Sequence, residues 1–302
     1  MREGNQVKTL IALVFGFFVL ITGYQAFALA RYSEREYGSS DDPSLVVNRP
    51  VNVQGLTGLI ITNSAYTQPK GRMVIGLSAT AENSSKPDLS IIQGIATVTG
   101  GVSDRIELGV KTKVIATNTG GSDTRRTGSG DTDLLFKWRL SSAGETLPAM
   151  ALGLAWTLPT GETAKGFSEV KHEGIRLMVI GTSEKEMPGD YVFGVYFEGQ
   201  LVFIDQLRRP AASLYADKYG VINAGVLFPL IDNRRLQAIV EYNRVVQKDT
   251  VTLYDQNLEA VMPGLRYVTP NLNISLGVQF LRRDQAGADN DNRYVGTLSY
   301  KF

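Results

Sequence analysis

Along most of the chain after residue 71, apolar and polar side chains alternate with a period of two. At residues 293–302 (RYVGTLSYKF), Tyr294, Leu298, Tyr300 and Phe302 share one face, and Arg293, Thr297, Ser299 and Lys301 share the other. At residues 148–158, Met150, Leu152, Leu154, Trp156 and Leu158 oppose Ala149, Ala151, Gly153, Ala155 and Thr157. At residues 272–282, Leu272, Ile274, Leu276, Val278 and Phe280 oppose Asn273, Ser275, Gly277 and Gln279. Successive side chains of a strand point to opposite faces, so each stretch predicts a strand with one apolar and one polar side.

About twelve segments of roughly 10–15 residues have this strand character. They are residues 72–81, 91–102, 106–117, 130–140, 148–158, 174–183, 190–204, 219–229, 236–246, 258–268, 272–282 and 293–302. The breaks between them alternate in length. Short ones fall at 103–105, 141–147, 184–189, 230–235 and 269–271; long ones fall at 81–90, 118–129, 159–173, 205–218, 247–257 and 283–292. Short periplasmic turns alternating with long outer loops are the asymmetry of a transmembrane β-barrel, and a tilted strand of this length spans an apolar band about 25 Å tall. A soluble β-sandwich shares the composition but has no reason to sort its loops in this way. The expected fold is therefore all-β: a transmembrane antiparallel up-and-down barrel of about twelve strands.

A charge facing lipid costs about 2–4 kcal/mol at the bilayer midplane, so charged faces are expected to point inward. In residues 130–140, Leu134, Phe136, Trp138 and Leu140 oppose Asp131, Asp133, Lys137 and Arg139. The same parity assigns Glu107, Lys111, Lys113, Arg176, Glu198, Glu241, Arg266, Arg293 and Lys301 to the lumen. Both signs occur, and charges inside a narrow barrel must be paired or hydrated. Paired, they form a rigid, nearly closed interior; hydrated, they line a narrow polar path. Twelve strands lie between filled small barrels and open porins, so barrel size leaves both readings standing.

The N-terminus carries Arg2 and Lys8, an apolar run at residues 10–22, and then AFALA at residues 26–30. This is the layout of a secretory signal peptide over residues 1–30, cleaved near Ala28 or Ala30. The run is short of the roughly 20 residues of a membrane-spanning helix. Residues 31–70 follow, beginning with a charged, Ser-rich stretch. From residue 51 they become apolar but glycine-broken, predicting a short hairpin or plug tucked into the periplasmic mouth. The barrel then occupies residues 71–302. Zero cysteines exclude disulfides and thiolate metal sites. A net charge of +1 gives no electrostatic reason to bind nucleic acid.

The motif GLTGLI at residues 55–60, followed by Ala65 and by PKG at residues 69–71, resembles the leading segment of YjbH-like, exopolysaccharide-associated barrel proteins. IELGV at residues 106–110, GDTDLLFK at 130–137 and ALGLAWTLPTG at 151–161 resemble the outer-membrane family named for the meta-cleavage pathway of phenol degradation. The terminal Phe302, with Tyr300 two residues before it, resembles the C-terminal assembly signal of bacterial outer-membrane proteins. These resemblances imply an outer-membrane location, lipid around the wall and assembly by the barrel assembly machinery. They further imply passage of small solutes, including aromatic or hydrophobic ones. The alternative is a non-conducting structural or exopolysaccharide-associated barrel.

Enzymatic and metal chemistry have weak footholds. His172 is the chain's single histidine, with Ser168 and Glu169 nearby in one long break. A Ser–His pair needs hydrogen-bond reach and an orienting third group, and a lone loop histidine is more often a surface residue. Asp284, Asp289 and Asp291 lack the fixed spacing of a dedicated Ca²⁺ site. No catalytic residue, metal or cofactor is therefore expected.

Overall fold

Alternation builds the wall directly: apolar side chains at every second position face outward, and polar or small ones face the interior. The computed structural model describes residues 49–85, 88–119, 125–142, 148–165, 167–168, 173–187, 191–204, 218–230, 235–247, 258–283 and 291–302. The expected signal peptide and residues 31–48 lie outside these.

Among the described residues, thirteen strands form one antiparallel sheet. They are β1 (Met73–Ser85), β2 (Asp88–Ser103), β3 (Ile106–Thr119), β4 (Arg125–Ser129), β5 (Thr132–Ser141), β6 (Ala149–Leu158) and β7 (Gly174–Met187). β8 (Tyr191–Ile204), β9 (Lys218–Pro229), β10 (Leu236–Gln247), β11 (Leu258–Val268), β12 (Leu272–Arg283) and β13 (Asp291–Lys301) complete the set. Each strand pairs with its sequence neighbours, apart from a local change at β3–β5, and β13 closes onto β1 with Val74 opposite Lys301 and Asn83 opposite Asn292. Closure removes the sheet edge, which a lipid environment requires because it offers no water to unpaired backbone groups.

β5 supplies the expected fourth strand, and β4 carries pairing back into residues 125–129, which corrects part of the long break expected at 118–129. Both pair with β3, but the register advances by one residue between Val114↔Ser129 and Lys111↔Asp133. Gly130 and Asp131 thus form a bulge, anchored by the Gly130 N–H donating to the Lys113 carbonyl at 2.8 Å. The barrel is a twelve-strand wall with one strand divided by this bulge. The predicted long break at residues 81–90 is corrected: Asn83 to Ser85 and Asp88 to Ser90 are paired strand residues.

The outward face is apolar, with Leu77, Leu201, Leu265 and Phe280 all more than half exposed. An apolar band this extensive on the outside of a closed polar-lined barrel is a lipid-facing surface. Inside, two apolar clusters lie at different sectors. One joins Leu56, Ala65 and Tyr66 to Leu135, Ala151 and Met178; the other joins Leu59 and Ile60 to Leu227, Ile239 and Met262. Both contain residues from the stretch 49–70, which therefore sits inside the barrel wall.

Candidate functional site in the lumen

Residues 49–70 cross the lumen in a compact, irregular path. Two isolated bridges, Val51↔Thr57 and Gly58↔Asn63, give it shape without making a strand. The Asn52 carboxamide organises its turns, accepting from the Gln54 N–H at 3.0 Å and donating to the Asn63 Oδ1 at 2.9 Å. Gly55 has φ of 90°, and a Cβ there would stand 2.6 Å from Leu135 Cδ1, so both conformation and space call for glycine.

Three wall carboxylates hold the segment. Glu107 on β3 accepts from the Thr57 N–H at 3.0 Å, the Thr57 hydroxyl at 2.5 Å and the Gln68 N–H at 2.7 Å. Glu198 on β8 accepts from the Asn63 side chain at 2.6 Å and its N–H at 3.2 Å, and from Gln54 Nε2 at 3.2 Å. Glu241 on β10 accepts from the N–H groups of Ile60 and Ile61 at 3.1 Å and of Thr62 at 2.6 Å. Carboxylates accept only, and backbone N–H groups outside regular structure need acceptors, so the two sets satisfy each other.

Cations of the wall complete the fit by donating to carbonyls of the same segment. Lys137 on β5 is fully buried, lies 3.0 Å from Glu107, and donates to the carbonyls of Thr57 and Ser64 at 3.3 and 3.2 Å. Arg266 on β11 donates to the Gly58 carbonyl at 3.1 Å and to Ser275 Oγ at 3.3 Å. Arg176 on β7 reaches Gln54 Oε1 at 3.4 Å. A buried ion is tolerated only when hydrogen bonds fill its remaining sites, and Lys137 has that environment.

Residues nearer the long-loop end form a separate group. Lys111 and Asp133 pair at 2.5 Å, and Asp133 also accepts from the Thr157 hydroxyl at 2.8 Å. Lys113 lies against the bulge, where a Cβ on Gly130 would meet its Cγ at 2.5 Å. Asp131 accepts from the Gly161 N–H and the Ser168 hydroxyl, both at 2.9 Å. The LPTG turn at residues 158–161 is thereby tied to the GD bulge at residues 130–131. Arg139 lies buried toward the opposite end, and Arg293 pairs with Glu82 at 2.5 Å. Ser168 is thus engaged with a carboxylate. His172, Glu169, Asp284 and Asp289 lie outside the described residues, while Asp291 is buried on β13.

At the start of the segment Arg49 donates to the Thr67 carbonyl and lies 5.3 Å from the centre of the Tyr66 ring. Burial lowers its guanidinium to about 10, with Glu184 partly opposing the shift. Burial raises the Tyr66 phenol, and Glu184 adds to that rise.

Several partners were not singled out from sequence: Thr182 accepts from the Ala65 N–H at 2.9 Å, Thr99 donates to the Gly55 carbonyl at 2.7 Å, and Asn223 donates to Glu198 at 2.8 Å. Their only signal was a neutral polar residue on the inward parity, which charge-based selection passes over.

The wall and its lining define a closed, lipid-facing antiparallel β-barrel. Among solved structures, the fold is similar to an outer membrane channel from Pseudomonas putida F1, with TM-score 0.59, 10% identity, and coverage of 79% of this chain and 98% of that one. It is also similar to the NanC porin, with TM-score 0.51, 10% identity, and coverage of 76% and 100%. No family model matches the chain. No curated protein matches it.

Proposed function

We propose that the chain is an outer-membrane channel for small solutes whose lumen is closed, in the conformation described, by residues 49–70. The observation that carries this reading is how the segment is held. Glu107, Glu198 and Glu241 receive its donors, while Lys137 and Arg266 donate to its carbonyls. Each of these contacts can be exchanged for water, so withdrawal of the segment leaves a charged, hydrated lining. Residues 1–30 serve as the signal peptide, 31–70 as the periplasmic segment and plug, and 71–302 as the barrel. Tyr300 and Phe302 present the assembly signal: their rings stack edge to face at 4.9 Å, and Phe302 is exposed. A solute range that includes aromatic or hydrophobic compounds rests on the family resemblance alone.

A specific observation favours a second reading, a permanently filled structural barrel. Leu59 and Ile60 seat against Gly225, Gly264 and Gly277, where the missing side chains make room for them. Single-channel conductance of the refolded mature protein, beside a variant beginning at Arg72, separates the two. Steps that appear or enlarge on truncation support a plug. Silence in both, with an intact barrel shown by heat-dependent gel mobility, overturns the channel reading in favour of the structural one.

A further inference from the structure

The lipid-facing wall carries a feature that the lumen does not use. Arg244 on β10, Glu259 on β11 and Arg282 on β12 stand in one row across three adjacent strands, paired Arg244↔Glu259 and Glu259↔Arg282. All three share the outward parity of Val240, Val261 and Phe280, which are exposed. Arg244 Nε lies 3.5 Å from Glu259 Oε1, and the Tyr242 hydroxyl reaches the same oxygen at 3.4 Å. One carboxylate therefore stands between two guanidinium groups, and Arg282 is exposed with no ion pair among the described residues. The row lies near the long-loop end, since Glu259 is the second residue of β11 and Arg282 the penultimate residue of β12.

A dent of about 300 Å³ adjoins this row on β8–β10. Its floor is Gly220, opposite Leu201 on β8 and Val246 on β10, with Phe203 beside it. A Cβ on Gly220 would come no nearer than 3.8 Å to any atom of the described residues, so among them the glycine leaves an open groove. Lys218, paired with Phe203, stands one outward step toward the rim from Gly220. Arg244, paired with Ile222, stands one outward step the other way. At the same rim β6 and β13 place the aromatic side chains of Trp156 and Tyr294 outward.

A cation facing the membrane is tolerated near the headgroups, where its cost falls to about 0–1 kcal/mol, and it gains when an anion meets it there. The geometry points to a binding site for a phosphorylated, multiply acylated lipid of the outer leaflet. One acyl chain lies in the Gly220 groove, and phosphate groups are held by Lys218, Arg244 and Arg282. Arginine offers paired donors to phosphate oxygens, and the groove supplies apolar contact that a free anion cannot use. This inference rests on the membrane orientation of the barrel and is independent of whether its lumen conducts.

The test uses the full refolded protein in phosphatidylcholine nanodiscs, titrated with lipid A bearing its phosphates and with the dephosphorylated form, and read by native mass spectrometry. Saturable binding of the phosphorylated form is expected, about tenfold weaker for Arg282→Gln and for Gly220→Leu, with Arg105→Gln at the opposite rim unchanged. Heat-dependent gel mobility verifies that each variant is folded. Equal binding of the dephosphorylated lipid would overturn the phosphate contact. Inorganic phosphate competing as well as the lipid would overturn the groove. Binding indifferent to both substitutions would overturn the site.

Discussion

The backbone N–H of Thr62 donates to Oε1 of Glu241 at 2.6 Å across 179 residues of sequence. Ile60 and Ile61 donate to the same carboxylate at 3.1 Å, so one wall side chain collects three consecutive N–H groups. Such a cradle of amides is normally an anion-binding element, and here the barrel supplies the anion.

Glu241→Ala removes the acceptor and strands buried donors, each at a cost of about 1–3 kcal/mol unless water enters. The segment is expected to loosen before the wall does. The chain has no cysteine, so Thr62→Cys offers a single labelling position. Thiol modification at residue 62 is expected to accelerate in the Glu241→Ala background, with heat-dependent gel mobility showing a retained barrel. An unchanged labelling rate would show that Glu241 does not hold the segment.

Lys137 and Glu107 form a fully buried pair at 3.0 Å. Removing one partner of such a pair leaves an uncompensated charge, typically at a cost of about 3–5 kcal/mol. Lys137→Met should therefore lower the unfolding midpoint sharply. Lys137→Met combined with Glu107→Gln should lose less than the two single changes summed, because the double change leaves no unpaired charge buried, whereas each single change does. Additive losses in urea unfolding would mean that the pair does not act as a unit.

How much of this was legible in the sequence follows from what period two encodes. Alternation at Leu134, Phe136 and Trp138 against Asp133, Lys137 and Arg139 separates the two faces, because any charge on the lipid side is penalised. It places Lys137 inside but cannot identify Glu107 as its partner, since that pairing depends on strand register and on the path of residues 49–70. The bulge at Gly130 and Asp131 was hidden for a related reason. A one-residue shift inside a polar, glycine-rich stretch displaces no apolar side chain, so the pattern read as one strand from residue 130. Thr182 and Asn223 were passed over because a neutral polar residue facing inward looks the same whether it touches water or a plug.

Gly225 and Gly264 are the seats of Leu59 and Ile60. A Cβ on Gly225 would lie 2.5 Å from Leu59 Cδ1, and one on Gly264 would lie 2.6 Å from Ile60 Cδ1. Overpacking of this kind costs about 1–3 kcal/mol. At Gly225 the nearest obstructing atom is the far end of the flexible Leu59 side chain, so the strain falls on the segment, whereas at Gly264 the Leu276 carbonyl of the wall also stands 2.9 Å away. Gly225→Val is expected to raise protease cleavage within residues 49–70 while the closed wall persists. Cleavage equal to the parent protein would mean that the seat repacks without displacing Leu59.

Asp131 ties the bulge to the loop after β6 through the Gly161 N–H and the Ser168 hydroxyl, each at 2.9 Å. Glu162 adds a reciprocal contact, its N–H donating to the Ser129 carbonyl at 3.0 Å and its carboxylate accepting from the Ser129 N–H at 3.2 Å. The loop thus folds back onto the wall, with Phe167 buried beneath it. Asp131→Ala leaves the Gly161 N–H without its acceptor and frees the loop, while the paired lengths of β3 and β5 below the bulge are untouched. The expected result is a large rise in proteolysis within residues 159–168 and a loss of only about 1–3 kcal/mol in barrel stability. If wall unfolding fell in proportion to loop cleavage, Asp131 would be a structural element of the barrel itself; if neither changed, Glu162 alone would suffice to hold the loop.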